Sequence, residues 1–292
     1  MSTLTVPAYA KINLALYVLG KRSDGYHNIA TLLQAIDLKD TLTLDPDADR
    51  LDLSCSDPRL PTDDSNLVCK AVRTLELRAS RSLPVRIVLT KEIPVGAGLG
   101  GGSSDAAATL WGMNQLFDLG LNVAEMQEIG ADIGSDVPFF LTSGQALAEG
   151  RGERLHEFSW PVDFEVVIAF PGIPISAREG YSRVRPRLTN PIPNGSFNRY
   201  LAPGMFWAWI RSQENDLAAG VCAAYPVVSS GVKAMRTLGA TVAGVTGSGS
   251  AVFGLFARST SEDVRTQWPV EGSWLIRIAR PIRSDDLPLP AS

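Results

Sequence analysis

Apolar and polar positions in the first third of the chain follow the two-residue period of β-strands. Residues 10–19 predict one strand, which ends at the polar run 20–25, and residues 29–44 predict further strand with a turn near residues 37–40. Residues 85–90 predict another strand, and a loop rich in glycine follows it. That loop is therefore expected to begin where a strand ends.

Helical spacing of apolar residues predicts three helices in the same part of the chain. Ser65 is a suitable N-cap for a helix over residues 66–79. Ser103 or Ser104 is expected to cap a second helix, which runs to about residue 117, and a third helix covers residues 123–134. The glycine loop therefore lies between a strand and a helix.

The pattern changes after residue 150. The Glu-Gly-Arg-Gly-Glu run at residues 149–153 is the predicted boundary between an N-terminal domain, 1–150, and a C-terminal domain, 151–292. The elements predicted beyond it are strands at 164–170, 241–245, 250–256 and 274–279 and helices at 203–213, 217–224, 227–238 and 261–267. The predicted fold class is α+β, in two parts.

Composition restricts the possible functions. Of 292 residues, 45% are apolar and 20% are charged, which is typical of a chain that buries a core and excludes disorder as its main state. The net charge is −4 and the isoelectric point is about 5.3, so a basic surface for nucleic acid is not expected. The two histidines, His27 and His156, are too few for a metal site built from several histidines.

Cysteine content and hydropathy indicate the compartment. Cys55, Cys69 and Cys222 are odd in number and lie far apart, which disfavours a disulfide framework and favours a reducing environment. No apolar run reaches the roughly 18 residues that a membrane helix needs, and the N-terminal residues do not resemble a signal peptide. We therefore expect a cytoplasmic protein without a membrane partner.

The segment at residues 94–108, PVGAGLGGGSSDAAA, carries the most specific signal. Five of the seven residues from Gly96 to Gly102 are glycine, so successive backbone N–H groups can turn towards one oxyanion. The positive end of the following helix would add to this effect, and the hydroxyls of Ser103 and Ser104 can reach phosphate or Mg²⁺. The segment therefore favours a site for a nucleotide triphosphate.

Other interpretations of this loop are weaker. Gly96, Gly98 and Gly101 satisfy the spacing of the dinucleotide-binding motif, but that motif needs a βαβ unit with an acidic residue about 20 residues further on. Here another helix follows, and Asp118 lies at a helix end. The P-loop motif is excluded because no Gly-Lys-Ser or Gly-Lys-Thr closes the loop. Five glycines directly before a Ser-Ser helix start also disfavour a merely flexible turn.

Two further segments contain candidate site residues. Asp136, in the segment Gly-Ser-Asp-Val-Pro-Phe-Phe, is either the cap of a short apolar helix or a catalytic acid. Residues 246–251, Thr-Gly-Ser-Gly-Ser-Ala, form a second glycine–serine turn between strands, which is either an ordinary hairpin or part of the site. The sequence of these two segments is compatible with both alternatives.

Taken in order, five segments resemble the galactokinase–homoserine kinase–mevalonate kinase–phosphomevalonate kinase (GHMP) superfamily. They are Ala-Lys-Ile-Asn-Leu at 10–14, Gly-Lys-Arg-Ser-Asp-Gly-Tyr-His at 20–27, the glycine loop at 96–104, Asp-Val-Pro-Phe at 136–139 and Thr-Gly-Ser-Gly-Ser at 246–250. The resemblance implies an N-terminal ATP-binding domain, a C-terminal α+β domain and an active site in the cleft between them.

The resemblance also implies a reaction. The Asp-Gly-Tyr-His and Asp-Val-Pro-Phe-Phe segments are similar to those of the superfamily members that act in the non-mevalonate isoprenoid pathway. The implied reaction is ATP-dependent phosphorylation of the tertiary 2-hydroxyl of a methylerythritol unit linked to cytidine diphosphate. The expected protein is thus a transferase with a small-molecule substrate, with ATP and Mg²⁺ as cofactors and no metal site of its own.

Roles for individual residues follow from the same resemblance. Lys11 and Asp136 match the catalytic pair, in which Asp136 would accept the hydroxyl proton while Lys11 orients the hydroxyl and keeps the carboxylate ionised. Asn13, Tyr26 and His27 match residues on the substrate side. The residues that match the phosphate-binding loop are Pro94, Val95, Gly96, Ala97, Gly98, Leu99, Gly100, Gly101, Gly102, Ser103 and Ser104.

Aromatic residues are expected to bind the cytosine. Tyr26 would stack on the base, which contributes about 1–3 kcal/mol in single-strand binders, and His27 would hydrogen-bond the edge of the base. Tyr181 lies where the family carries a second aromatic that closes a sandwich. Four arginines, at positions 178, 183, 185 and 187, could touch the diphosphate, but a solvated basic loop is the favoured interpretation of them.

Two alternatives to this function remain. Another kinase of the superfamily would act on homoserine or a mevalonate-type alcohol, neither of which has a base to stack on Tyr26. A nucleotide-binding module without catalysis would keep its function after substitution of Lys11 or Asp136, whereas a kinase would lose turnover with ATP affinity little changed.

Overall fold

The structure, a computed structural model, describes residues 2–184, 186, 192, 197, 199–201, 204–257 and 261–283. Arg185 and Arg187, two of the four arginines considered for the diphosphate, lie outside these ranges. Two antiparallel-rich sheets and their helices make up the described part, which confirms the α+β class.

The first sheet is built around a long antiparallel pair at the N-terminus. β1 (Leu4–Lys21) and β2 (His27–Asp45) pair along almost their whole length, with register shifts at three places along the pair. The remaining strands are β3 (Asp52–Cys55), β4 (Arg86–Thr90), β5 (Gln145–Gly150) and β6 (Arg154–Glu157). Their order is β3-β4-β2-β5-β6, with β1 on β2. Neither β5 nor β6 is predicted by the sequence pattern.

The predicted turn near residues 37–40 is wrong, because β2 continues through these residues, with a register shift against β1 between Ile36 and Lys39. Of the two aspartates that suggested a turn, Asp37 is exposed and Asp40 is completely buried. The Asp40 carboxylate accepts the backbone N–H groups of Glu92 and Ile93 and contacts the Lys91 ammonium. A buried carboxylate that is satisfied in this way can occupy a strand interior.

Three α-helices and a short 3-10 helix accompany the first sheet. They are α1 (Leu67–Ala79), α2 (Gly101–Leu116), α3 (Val123–Ile133) and the 3-10 helix Pro138–Leu141. Asn66 rather than Ser65 is the N-cap of α1, since its side chain accepts the N–H of Val68. The predicted cap of α2 is also wrong, because this helix begins at Gly101 and places Ser103 and Ser104 inside its first turn.

The second sheet and its helices form the C-terminal part. Its strands are β7 (Phe164–Phe170), β8 (Val242–Val245), β9 (Val252–Ala257) and β10 (Leu275–Ala279), in the order β10-β7-β9-β8. The helices are α4 (Ala177–Ser182), α5 (Met205–Ile210), α6 (Asp216–Ala224), α7 (Pro226–Thr237) and α8 (Glu262–Thr266). All of these elements except α4 match the predicted ones to within a few residues. No helix is predicted at Ala177–Ser182, whose N-cap is Ser176.

One buried cluster joins the two sheets. Ile12 and Leu32 of the first sheet belong to the same apolar cluster as Phe164, Val166 and Leu255 of the second. Burial of such side chains contributes about 1.5–3 kcal/mol each, so the two sheets are held face to face by their own core. β1 is thereby fixed between the two parts of the chain, and so are the polar residues that it carries.

The predicted domain boundary at residue 150 falls within a hairpin of the first sheet. Residues 151–153 connect β5 to β6, and these two strands pair from Ala146 to Glu149. The chain passes to the second sheet between Glu157 and Phe164. The division into two domains at 150 stays a prediction.

Among the described residues, no single helix is long and apolar enough to cross a membrane. The pair α6 and α7, which is bent by 120°, passes the same test together on length and composition alone.

Candidate active site

β1 carries two buried polar residues on one face. Lys11 and Asn13 are two positions apart, so their side chains point to the same side of the strand, and each residue is only 4% exposed. The Lys11 ammonium donates to Asn13 Oδ1 at 2.6 Å and to the carbonyl of Gly98 at 2.8 Å. An ammonium has three N–H groups, so these two bonds leave one for a further partner.

The glycine loop crosses directly over Lys11. Gly96, Gly98 and Gly100 have φ values of 68°, 79° and 75°, which lie in the left-handed region that favours glycine. The carbonyl of Leu99 accepts the Lys11 backbone N–H at 3.0 Å. A Cβ atom on Gly98 would lie 2.2 Å from the carbonyl oxygen of Thr246, so only glycine fits there.

Gly98→Ala is therefore expected to disrupt the loop, whereas Gly172→Ala provides the matched control. Gly172 has nearly the same φ, 78°, but nothing lies within 4 Å of a Cβ at that position. The control should carry only backbone strain, about 1–2 kcal/mol, while Gly98→Ala adds the clash with Thr246. We expect a lower free energy of unfolding in Gly98→Ala than in Gly172→Ala. Equal values for the two variants in denaturant unfolding would show that the contact with Thr246 does not restrict this position.

The turn between β8 and β9 closes the site from the C-terminal sheet. The Thr246 hydroxyl is fully buried and accepts the Asn13 backbone N–H at 3.1 Å. The side-chain amide of Asn13 donates to the Thr31 hydroxyl at 2.8 Å. A Cβ on Gly247 would lie 3.1 Å from the Lys11 ammonium. The second glycine–serine turn is thus part of the same cluster and not an isolated hairpin.

Asp136 faces this cluster from the segment before the 3-10 helix. One of its carboxylate oxygens lies 3.9 Å from the Lys11 ammonium, and its side chain is 39% exposed, so it opens to solvent. No side chain caps the 3-10 helix, so the capping role considered for Asp136 is not the observed one. Burial lowers the pKa of Lys11, and the nearby charge of Asp136 opposes that shift.

The N-terminus of α2 is open towards the same space. Its N-cap is Gly100, and no side chain hydrogen-bonds to the first N–H groups of the helix. Such free N–H groups and the helix dipole suit phosphate oxygens. Ser103 lies beside Gly134, since a Cβ on Gly134 would be 3.9 Å from the Ser103 hydroxyl. Ser104 is buried and lines a small apolar pocket with Phe139 instead.

A buried cluster of three charged residues contacts the N-terminal part of α2. The Lys91 ammonium contacts Asp40 and lies 2.7 Å from Asp105, and a Cβ on Gly101 would be 3.2 Å from it. Burial raises the pKa of Asp105 to about 7, although the Lys91 charge acts in the opposite direction. These contacts tie the first turn of α2 to β2 and β4.

A second group of residues lies at the end of the β1–β2 hairpin. His27 stacks on Tyr181, with ring centroids 5.2 Å apart and planes 13° from parallel. Tyr26 is 52% exposed, and the Arg151 guanidinium lies 5.1 Å from its ring centroid. The structure thus pairs Tyr181 with His27 and Tyr26 with Arg151, so the predicted sandwich of a base between Tyr26 and Tyr181 stays a prediction.

These aromatic residues are close to Asp136. Burial raises the pKa of Tyr181, and the charge of Asp136 adds to that effect. Burial also lowers the pKa of His27, so the imidazole is neutral at pH 7 and offers one donor and one acceptor. Gly152 lies next to Asp136, since its Cβ would be 3.6 Å from Oδ1.

Arg151 is a candidate that the sequence analysis missed, because its segment was interpreted as a boundary. It is flanked by two glycines with positive φ at the tip of the β5–β6 hairpin, between Tyr26 and the Asp136 segment. The Gly-Arg-Gly pattern was a usable signal, since an arginine held between glycines can approach a phosphate closely.

Sequence comparison identifies the class of protein to which this site belongs. Residues 66–144 match the GHMP kinases N terminal domain, and residues 207–272 match the GHMP kinases C terminal domain. The first match contains the glycine loop and Asp136, and the second contains the Thr246 turn. The chain is a GHMP kinase, a class that uses ATP.

Similar proteins identify the family within this class of kinases. The chain is 40% identical over 277 residues to the 4-diphosphocytidyl-2-C-methyl-D-erythritol kinase of Chlorobium phaeobacteroides (strain BS1), with 92% of this chain and 96% of that protein covered. A crystal structure of 4-(cytidine 5'-diphospho)-2C-methyl-D-erythritol kinase is 33% identical, with a TM-score of 0.75 and coverage of 95% and 99%. The chain belongs to the family of 4-diphosphocytidyl-2-C-methyl-D-erythritol kinases.

A more distant relative shares the fold alone. The crystal structure of homoserine kinase from Cytophaga hutchinsonii superposes with a TM-score of 0.76, covering 97% of this chain and 96% of that one, at 17% identity. Fold similarity at this level does not define the substrate.

Proposed function

We propose that the protein transfers the terminal phosphoryl group of ATP to the 2-hydroxyl of 4-diphosphocytidyl-2-C-methyl-D-erythritol, and that Asp136 and Lys11 carry the transfer. The position of Lys11 is the observation that supports this proposal most. Lys11 contacts the glycine loop on one side and Asp136 on the other, with the His27–Tyr181 pair beside them.

The phosphates of ATP would lie against the glycine loop and the first turn of α2. The uncapped N–H groups at Gly100 and beyond suit phosphate oxygens, and catalysis of this transfer depends on positioning and on charge stabilisation. When bound, Mg²⁺ would neutralise the negative charge of the phosphates. The Ser103 hydroxyl, in the first turn of α2, is the group of this chain that would hold such an ion.

The acceptor hydroxyl would lie between Asp136 and Lys11. Its oxygen forms a bond to the phosphorus of the terminal phosphoryl group, the bond from that phosphorus to the ADP oxygen breaks, and the hydroxyl proton passes to Asp136. The third N–H of Lys11 can hold the hydroxyl or the transferred group in place. The positive charge of Lys11 also favours the ionised carboxylate that the proton transfer needs.

The cytosine would be bound at Tyr26, His27 and Tyr181. The exposed ring of Tyr26 offers a stacking face, and the neutral imidazole of His27 can donate to or accept from the edge of the base. Tyr181 holds the imidazole plane by stacking on it. Arg151, above the ring of Tyr26, would meet the diphosphate.

Tyr26→Leu is expected to weaken binding of the cytidylyl substrate alone. Loss of a stacking face costs about 1–3 kcal/mol, so its KM should rise about 5- to 150-fold while the KM for ATP is unchanged. Since Tyr26 is mostly exposed, the fold should tolerate the change. Tyr26→Phe keeps the ring and is the matched control. Wild-type KM values in Tyr26→Leu would argue against a stacked base.

Arg151→Ala should also raise the KM for the cytidylyl substrate. The increase should be about 3- to 10-fold, because the variant lacks one charge-assisted contact to phosphate. Arg154→Ala, an exposed arginine of the same hairpin, is the matched control. Equal KM values in the two variants would remove Arg151 from the substrate site.

The reaction itself is tested by release of ADP from ATP and Mg²⁺ with three alcohols in parallel: 4-diphosphocytidyl-2-C-methyl-D-erythritol, homoserine and mevalonate. We expect turnover with the first alone. Turnover with homoserine or mevalonate would overturn the substrate assignment, and ATP binding without turnover on any alcohol would favour a non-catalytic module.

A further inference from the structure

A cavity of about 460 Å³ lies between α6, α7, β8 and the segment 213–216. Its size is within the range of 300–1,000 Å³ that is typical of small-molecule sites. Asn13 is the only predicted site residue in its described lining, and neither the glycine loop nor Asp136 borders it. The cavity therefore adjoins the candidate active site at Asn13 but does not include the residues proposed to bind ATP or to accept the proton.

One wall of the cavity is cationic. Lys233 and Arg236 are three positions apart on α7, so they share a face of the helix, and Ser229 lies one turn before Lys233 on that face. Both cationic side chains are exposed, and neither has an ion pair or a side-chain hydrogen bond within the ranges that the structure describes. They give the α7 side of the cavity a positive charge.

The acidic residues of the lining lie at the start of α6 and just before it. Asp216 accepts the backbone N–H of Val18 at 2.9 Å, so its carboxylate is bound to β1. Glu214 also lines the cavity, in the segment that precedes α6. The acidic and the cationic residues of the lining thus lie on different elements, with the cations on α7.

The edge of the second sheet borders the cavity with apolar residues. β8 is the outer strand, and Val242 and Val245 line the cavity from its two faces, together with Phe253 of β9. Ala218 and Ala219 of α6 leave room beside this edge because their side chains are small. A ligand that fits these surfaces has an apolar body and one anionic group.

We propose that this cavity is a second ligand site, for a small organic anion whose phosphate or carboxylate group binds Lys233 and Arg236 and whose apolar part covers β8. Nothing in the proposed kinase chemistry uses this site. Asn215, in the wall next to the active site, donates to the carbonyls of Val245 and Gly247 at 2.8 Å each. Binding should therefore be measured with ADP and the cytidylyl substrate present at saturation, so that the kinase site is filled.

Cys222 gives a local measure of occupancy. It lines the cavity and is partly exposed, whereas Cys55, also partly exposed, lies in β3 of the other sheet. Alkylation by iodoacetamide, followed at each cysteine by mass spectrometry, therefore reports on the cavity with Cys55 as internal reference. Because burial raises the pKa of Cys222, the experiment is run at mildly alkaline pH.

Phenyl phosphate, a small aromatic anion, is the probe. We expect it to slow alkylation of Cys222 saturably and to leave Cys55 unchanged. Lys233→Ala with Arg236→Ala should weaken the protection about tenfold or more, which corresponds to about 1.4 kcal/mol, while Arg211→Ala should not. Ala219→Trp, on the exposed side of α6, should abolish the protection by filling the cavity, and Ala223→Trp is its control.

Unchanged protection in the Lys233 and Arg236 double variant, or no protection of Cys222 by phenyl phosphate, would overturn the proposal. Kinase turnover is measured in each variant to show that it is folded. Since none of the substituted residues belongs to the proposed kinase site, failure of this proposal and failure of the proposed function give different results.

Discussion

Asp136→Asn is expected to lower kcat by about 10²- to 10⁴-fold, the range for removal of a general base. The amide cannot accept the hydroxyl proton, and it no longer carries the charge that faces the Lys11 ammonium across 3.9 Å. The glycine loop and α2 do not depend on this carboxylate, so the Kd for ATP should stay nearly constant. A loss in kcat at constant ATP affinity is the sign of an interaction made in the transition state.

Asp132→Asn, an exposed residue of α3 that lies one turn earlier, makes the same chemical change away from the site. Steady-state kinetics and ATP titration on both variants decide the question. A fall of kcat in Asp136→Asn by less than about tenfold, below what a general base contributes, would remove Asp136 from the mechanism.

Lys11→Met is expected to lower kcat by about 10²- to 10³-fold, as for removal of one preorganised donor from a transition state. Methionine keeps the length of the side chain but loses the donors to Asn13 and Gly98. Since burial of the ammonium is itself costly, the free energy of unfolding should change little. Lys70→Met, at an exposed position of α1, is the matched control. Wild-type turnover in Lys11→Met would contradict the catalytic role.

The pH dependence of kcat in the wild-type enzyme is expected to follow the protonation of Lys11. If Lys11 acts as a cation, kcat falls as pH rises through its pKa and the ammonium loses its proton. Burial lowers that pKa below the ordinary value of 10.5, so the alkaline limb of the kcat profile should lie below pH 10.5. A profile that stays flat up to that pH would show that the ammonium charge is not needed.

Prediction from sequence worked best where the signal was local. The strand at 164–170, the helices of the C-terminal half and the two-part α+β class follow from periodicity and turn residues. Prediction failed where contacts between residues far apart in the chain determine the secondary structure. Asp40 breaks a local strand pattern, yet Lys91 and two backbone N–H groups from a distant segment satisfy it, so β2 runs on.

The candidate site shows the same contrast between local patterns, which could be predicted, and long-range contacts, which could not. The glycine loop was recognisable because several glycines before a helix have few other uses, but the cap of α2 was misassigned to serines. Gly100 takes that position instead, which leaves the helix N–H groups free for a ligand. The contacts of Asn13 with Thr31 and Thr246 join residues far apart in the chain, so no local pattern predicts them.

Phosphorus NMR of the reaction products tests the central proposal most directly. The purified protein is incubated with ATP, Mg²⁺ and 4-diphosphocytidyl-2-C-methyl-D-erythritol. We expect one new phosphomonoester signal for each ADP formed, on a product that keeps its cytidine diphosphate group. Formation of ADP with inorganic phosphate and no new phosphomonoester would contradict it.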